Sequence, residues 1–328
     1  MSAQDTAGSP GADTASAAGA DAILESRPPA ETLRWVTEAV GARSKVTSIR
    51  KLLGGASSAM HAVNIDDARG HRHRLVLRRF VRSDWLAREP DLAEREASVL
   101  QLLQGSDVPA PELVAVDSTG KVCDVPALLM TRLPGRVEFA PIDTTSWLTQ
   151  MAAALPPIHA VIMIGYAVQP YQTYNKPSEL KPPAWSKEVD AWESIFRLLA
   201  GPAPETPHCF IHRDYHPGNV LWSRNRLTGI VDWTNASIGP PGIDVGHCRL
   251  NLVQLHGVGI ADRFLDIYRR QAGGDADYHP YWDAITAIEF LPEPRVYLGW
   301  RDAGLANLTR GLLRARLDKY ATSIAARI

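Results

Sequence analysis

The stretch Phe210-Ile211-His212-Arg213-Asp214-Tyr215-His216-Pro217-Gly218-Asn219-Val220-Leu221-Trp222 constrains this chain more than any other. Asp214 stands five positions before Asn219, in a run of residues that favour turns. Val220-Leu221-Trp222 and Thr228-Gly229-Ile230-Val231 are β-prone and flank the polar Ser223-Arg224-Asn225-Arg226, which predicts a hairpin. Pairing centred between Asn225 and Arg226 would set Asn219 opposite Asp232 at its open end. Two oxygen-bearing side chains there, with a carboxylate in the preceding loop, make the set that phosphoryl transfer needs. One group takes the acceptor hydroxyl proton, and hard oxygen ligands hold Mg²⁺ against nucleotide phosphates. Any one of these residues alone would be an ordinary turn residue; the joint spacing carries the reading.

The chain has 328 residues, enough for two ordinary domains or one bilobal enzyme, and an apolar fraction of 45%, enough to build a core. A formal net charge of -1 offers no field to nucleic acid or to an anionic membrane. The odd set Cys123, Cys209 and Cys248, widely spaced, fits neither a disulfide framework nor a zinc knuckle and suits a reducing compartment. No apolar run approaches the ~20 residues that span a bilayer. Residues 1–30 lack the basic start and apolar core of a secretory signal and read as a disordered tail, so a cytoplasmic protein is expected.

Beyond the tail, a short helix through Trp35 and Val40 is predicted, then strands over Val46–Leu53, Met60–Ile65 and Arg74–Phe80. Between the first two lies the glycine-rich turn Gly54–Ala59. A helix over about Asp91–Gln104 puts Leu92, Glu96, Val99, Leu100 and Leu103 on one face, and Glu96, a carboxylate on a buried stripe, demands a cationic partner. Strands over Leu113–Val116 and Ala127–Thr131 close the first lobe, 31–133. The second, 134–328, is mostly helical, with one apolar stripe at Leu148, Met151, Leu155 and Ile158 and another at Val189, Trp192, Phe196 and Leu199. Helical patterns recur over about Asn251–Arg270, Tyr281–Glu289 and from Leu305 onward. Strands followed by helices make an α+β protein.

His212–Trp222, with Ile230-Val231-Asp232-Trp233 and Gly242-Ile243-Asp244-Val245-Gly246-His247, resembles the aminoglycoside phosphotransferase family. This protein-kinase-like group includes choline, homoserine and fructosamine kinases. The resemblance runs from about Ile49 to the C-terminal helices, and it implies the bilobal kinase-like fold: an antiparallel-sheet N-lobe and a mostly helical C-lobe. It implies Asp214 as the catalytic base, Asn219 and Asp232 as Mg²⁺ ligands, His216 as a contact to the transferred phosphoryl group, and Asp244 as the buried acid anchoring the catalytic loop. Gly54, Gly55, Ser57 and Ser58 would cover the nucleotide phosphates, although the turn is neither G-x-G-x-x-G nor a P-loop. Arg78 stands where protein kinases have the phosphate-pairing Lys, with Glu96 as its partner and Arg79 as a second candidate. Met130 to Leu133, including Arg132, resembles the hinge that contacts the purine. Arg213, where relatives more often carry Gly, is expected to form a structural ion pair.

The implied activity is ATP- (or GTP-) and Mg²⁺-dependent phosphorylation of a small hydroxylated acceptor, an aminoglycoside-like antibiotic or a metabolite, with no obligate protein partner. Asp190, Asp283, Glu289 and Glu293 are candidates for holding a polycation, and Tyr171, Tyr174, Trp185, Trp282 and Trp300 for an aromatic acceptor pocket. A protein kinase is disfavoured by Asp232-Trp233-Thr234 in place of Asp-Phe-Gly and by the short Thr234–Ile243 segment. A catalytically silent nucleotide-binding regulator would have no need of Asp214, Asn219 and Asp232 together.

Overall fold

The computed structural model describes residues 23–24, 26–52, 58–272, 278–297, 300, 305 and 307–328. The chain forms two compact units: one takes the described residues up to Gly105 together with Ala110–Leu133, the other Ser106–Pro109 and the described residues from Pro134 on.

In the first unit, helix α1 (Ala30–Val40) precedes strands β1 (Lys45–Lys51), β2 (Ser58–Asp66) and β3 (Arg72–Phe80). Helices α2 (Ser83–Arg88) and α3 (Leu92–Leu103) and strands β4 (Leu113–Asp117) and β5 (Ala127–Thr131) follow. The strands form one antiparallel sheet in the order β1-β2-β3-β5-β4. Side chains alternate across it. Leu75 and Leu77 join Val63, Ile65, Leu129 and Val36 of α1 in a core cluster on one face. Arg79 shares that parity and Arg78 the opposite one, so two adjacent arginines serve different partners. All five residues of the stripe expected on α3 are buried, Glu96 among them. Order also starts before residue 31: Ile23 and Ser26 present their carbonyls to Arg79 Nη2, each at 3.3 Å. Most of the expected tail lies outside the described residues.

The second unit holds the short strand β6 (Arg136–Val137) and helices α4 (Thr144–Ala153), α5 (Leu155–His159) and α6 (Val189–Leu199). Strand β7 (Cys209–Ile211), the hairpin β8 (Val220–Ser223) and β9 (Arg226–Ile230), and β10 (Ser237–Gly239) follow. Helices α7 (Gly242–His256), α8 (Val258–Gln271), α9 (Pro280–Ala287) and α10 (Arg310–Ala325) complete it. The stripe Leu148, Met151, Leu155, Ile158 is buried as expected but belongs to two helices, because Pro156 and Pro157 restart the chain as α5. On α6 the buried positions are Trp192, Ile195 and Leu199, while Val189 is exposed. The helix expected from Asn251 begins earlier, at Gly242, and is divided from α8 by Gly257 at φ 91°.

Helix α7 is buried from Gly242 to Leu255. It passes close to α9 because Gly246 has no side chain: a Cβ there would stand 2.5 Å from the Trp282 carbonyl oxygen. Gly246→Ala is therefore expected to lower stability by about 1–3 kcal/mol, since rigid backbone must give way. Thermal or denaturant unfolding of the variant checks this, and an unchanged midpoint would contradict the close approach.

Candidate active site

Strand β7 ends at Ile211, and the chain enters a loop fixed from below by Asp244 of α7. Its carboxylate accepts the backbone N–H groups of His212 (2.9 Å) and Arg213 (2.7 Å), and His159 Nε2 lies 3.2 Å away. Burial opposes its charge; the hydrogen bond from His159 and the surrounding donors outweigh that and hold its carboxyl below the ordinary range. His212 is buried, bonds Val231 O through Nε2 at 3.0 Å, and packs on the Trp233 ring at 4.3 Å. Tyr215 hydroxyl donates to Met151 O of α4 at 2.8 Å, pinning the loop from the other side.

These anchors present Asp214, only 1% exposed. Asn219 closes the loop: its Nδ2 donates to the Asp214 backbone oxygen (2.9 Å) and approaches Asp214 Oδ2 at 3.3 Å. With the amide nitrogen so engaged, the Asn219 oxygen is turned the other way, as a cation ligand requires. His216 Nδ1 accepts the Gly218 N–H at 3.0 Å. Burial pushes this imidazole down to about 3, against the pull of Asp214, so it is neutral at physiological pH. A neutral ring accepting at Nδ1 carries its proton on Nε2, as a donor.

The hairpin forms, with a register one residue off the expected one. Ser223 pairs with Arg226 around a two-residue turn in which Arg224 (φ 51°) and Asn225 (φ 60°) are both left-handed, the signature of a type I′ turn. A bulge between Leu221 and Trp222 then sets Val220 opposite Ile230. Val231 N–H consequently donates to Asn219 O at 2.9 Å, and Val231, not Asp232, is the residue facing Asn219. Asp232 follows one step later, itself left-handed at φ 65°, and its Oδ1 accepts from Thr234 Oγ1 at 3.3 Å. Two hard oxygen donors of different type at the end of one ribbon suit Mg²⁺, which binds few protein ligands and keeps waters and phosphates.

In the first unit, Arg78 Nη1 reaches both Glu96 oxygens at 2.9 and 3.0 Å, with the arginine 4% and the glutamate 1% exposed. Ser58 Oγ accepts from Arg78 Nε at 3.1 Å, so Ser58 supports the arginine. Arg79 is instead bound to Asp124 at 2.6 Å and fully buried, which removes it as the second candidate cation. Gly54, Gly55 and Ser57 lie outside the described residues. Met130 sits within β5, paired with Val76 and Leu113, and the N–H of Arg132 donates to Arg74 O at 2.9 Å, so the sheet occupies that donor.

Several acceptor-side expectations fail on burial. Asp283 lies in the core with Arg249 Nε at 2.9 Å and Arg327 Nη2 at 2.6 Å. Glu289 binds Arg213 Nη2 at 2.8 Å and His247 Nδ1 at 3.0 Å. Glu293 pairs with Arg314. Tyr171 and Tyr174 stack on the Arg213 guanidinium at 4.9 and 3.8 Å, and Trp282 and Trp300 are core residues. Arg213 thus makes the ion pair expected of it, at a left-handed φ of 71° that favours glycine.

His247 was not foreseen as part of the site. Its Nε2 stands 2.9 Å from Asp214 Oδ1. Asp244 and His247, three apart, share a face of α7, which was the available signal. Among the described residues Asp214, His216 and His247 also have the spacing of a metal-binding trio. Two arguments count against that use: a neutral His216 that accepts at Nδ1 presents an N–H at Nε2, and both His247 nitrogens face carboxylates.

No curated protein matches the chain in sequence. Solved structures do match in fold. A candidate aminoglycoside phosphotransferase of Ralstonia eutropha JMP134 aligns with TM-score 0.59 at 17% identity, over 90% of this chain and 99% of its own. Aminoglycoside phosphotransferase APH(4)-Ia aligns with TM-score 0.58 at 15% identity, over 89% and 98%. Macrolide 2′-phosphotransferase MphH of Brachybacterium faecium aligns with TM-score 0.54 at 18% identity, over 88% and 97%. The family model described as "Phosphotransferase enzyme family" matches residues 48–285, most of the length, and the chain therefore belongs to the phosphotransferase enzyme family, with its α+β bilobal kinase-like fold.

Proposed function

We propose that the protein transfers the γ-phosphoryl group of ATP, or GTP, to a hydroxyl of a small molecule, with Mg²⁺. The observation that carries this is the buried Asp214 carboxylate locked to Asn219 at the foot of the ribbon that ends in Asp232. Bound Mg²⁺, held by Asn219 and Asp232, would neutralise charge on the phosphates. Asp214 orients the acceptor hydroxyl and receives its proton. The acceptor oxygen forms the new bond to phosphorus, the bond to the β–γ bridging oxygen breaks, and the nucleoside diphosphate leaves with that electron pair. His216 Nε2–H donates to the transferred group, and Arg78, oriented by Glu96 and Ser58, pairs with the nucleotide phosphates. Asp214 is a weak base: burial opposes its charge, yet the positive surroundings, the hydrogen bond from His247 among them, hold its carboxyl well below the ordinary range. Its contribution is then mainly orientation, in line with a loose transition state in which positioning dominates.

Similar proteins support the substrate classes. A variant of APH(4)-Ia is known in ternary complex with AMP-PNP and hygromycin B, and an aminoglycoside 2′-phosphotransferase in complex with GDP. Asp283 and Glu289 are spent on buried ion pairs and Glu293 on a partly exposed one, which leaves the exposed Asp190 of the four acids, and the acceptor is put no more narrowly than a small hydroxylated molecule. Asp232→Ala is expected to abolish the Mg²⁺-dependent part of nucleotide binding, read by calorimetric titration with and without Mg²⁺. Equal affinities in wild type and variant would remove Asp232 from the ligand set.

A further inference from the structure

The geometry points to His247 as a positioning residue: an imidazolium that ties Asp214 to the buried Arg213–Glu289 pair and holds its carboxylate in one orientation. This rests on the phosphotransferase reading for its consequence, though not for its existence. The line of contacts runs Arg213 Nη2 to Glu289 Oε1 at 2.8 Å, Glu289 Oε2 to His247 Nδ1 at 3.0 Å, and His247 Nε2 to Asp214 Oδ1 at 2.9 Å. All four residues are 3% exposed or less. Charges alternate along it, plus, minus, plus, minus, which is the arrangement that lets four buried ionic groups coexist. A neutral imidazole has one N–H and would leave one of the two carboxylates facing a lone pair.

The backbone points the same way. Arg213 occupies its left-handed conformation, a departure of order 1–3 kcal/mol for a residue with a side chain. The guanidinium this conformation delivers is clamped by Glu289 and by Tyr171 and Tyr174. Helix α7 carries His247 and the turn after α9 carries Glu289; the missing side chain of Gly246 allows these elements to meet. The charged and titratable groups facing His247 are Asp214 and Glu289 by contact, the neutral His216 ring at 5.9 Å, and Arg213 behind Glu289. Tyr174, nearby, is pushed upward by burial and stays neutral. Burial works against the proton on His247; Asp214 and Glu289 outweigh it and raise its value above the ordinary 6.5. Positioning by the imidazolium is therefore complete below that ordinary value and is lost as pH rises through the raised folded one.

Imidazole nitrogen NMR on the intact protein at neutral pH is expected to show His247 protonated on both nitrogens, and to show a neutral ring in Glu289→Gln. A neutral His247 in the wild type would overturn the proposal even if the enzyme turns over no acceptor tried; a charged one upholds the network even then. With an acceptor in hand, His247→Ala is expected to lower kcat by about 100-fold with nucleotide KM unchanged. His247→Gln, which keeps a donor toward Asp214, should recover part of this, and Glu289→Gln should move the alkaline loss of kcat to lower pH. Folded variants with wild-type kcat and an unmoved pH profile would contradict it.

Discussion

Asp214→Asn should leave a folded protein that still binds nucleotide and has lost about 10²–10⁴-fold in turnover. Asn has nearly the shape of Asp, so the loop held by Asp244, Asn219 and Tyr215 should persist. What disappears is the negative oxygen proposed to orient the acceptor and take its proton. Arg78, proposed to pair with the nucleotide phosphates, is unaltered, so nucleotide affinity should barely move. The variant also leaves the His247 imidazolium with Glu289 alone of its two carboxylates, and His247 should then titrate lower than in the wild type. Turnover that survives would mean that Asp214 is not the base; turnover and nucleotide binding lost together would mean that the loop had collapsed.

Arg78→Leu is expected to produce the second large effect, on stability and binding together. It would take from Glu96, 1% exposed, the guanidinium it pairs with, and breaking a buried pair from one side costs about 3–5 kcal/mol. The double variant Arg78→Leu with Glu96→Leu removes both charges. It should regain much of the stability, because well-packed apolar residues often replace a buried ion pair without loss, and it should regain none of the nucleotide affinity. Denaturation and nucleotide titration of both variants separate the two roles. Retained affinity in the double variant would show that Arg78 serves the fold alone.

The legible parts of this molecule were those written in local patterns. Glu96 stood out as a carboxylate on an apolar helical face, and its arginine was found; strand alternation explains why that arginine is Arg78 and why Arg79 turns to Asp124. The loop that joins Asp214 to Asn219 was legible because the two lie five positions apart in one short run. The hairpin register was missed by one residue because the polar stretch Ser223–Arg226 does not reveal that only Arg224 and Asn225 form the turn, nor that a bulge follows at Leu221. Glu289 and Asp283 stood as candidates for an acceptor site because their partners, Arg213 and Arg249, are remote in sequence and no local period records such pairings. His247 escaped for the same reason: its partners come from a β7-to-β8 loop and from the turn after α9.

The most direct measurement is transfer of label. Wild-type protein, Mg²⁺ and nucleoside triphosphate radiolabelled at the γ-phosphate should be incubated with a panel of small alcohols that includes aminoglycosides, macrolides and metabolites. Label is expected on one class of small acceptor with the wild type and on none with Asp214→Asn. Nucleotide bound by the wild type with label on no small acceptor, or label on a protein substrate, or equal transfer by Asp214→Asn, would contradict the assignment.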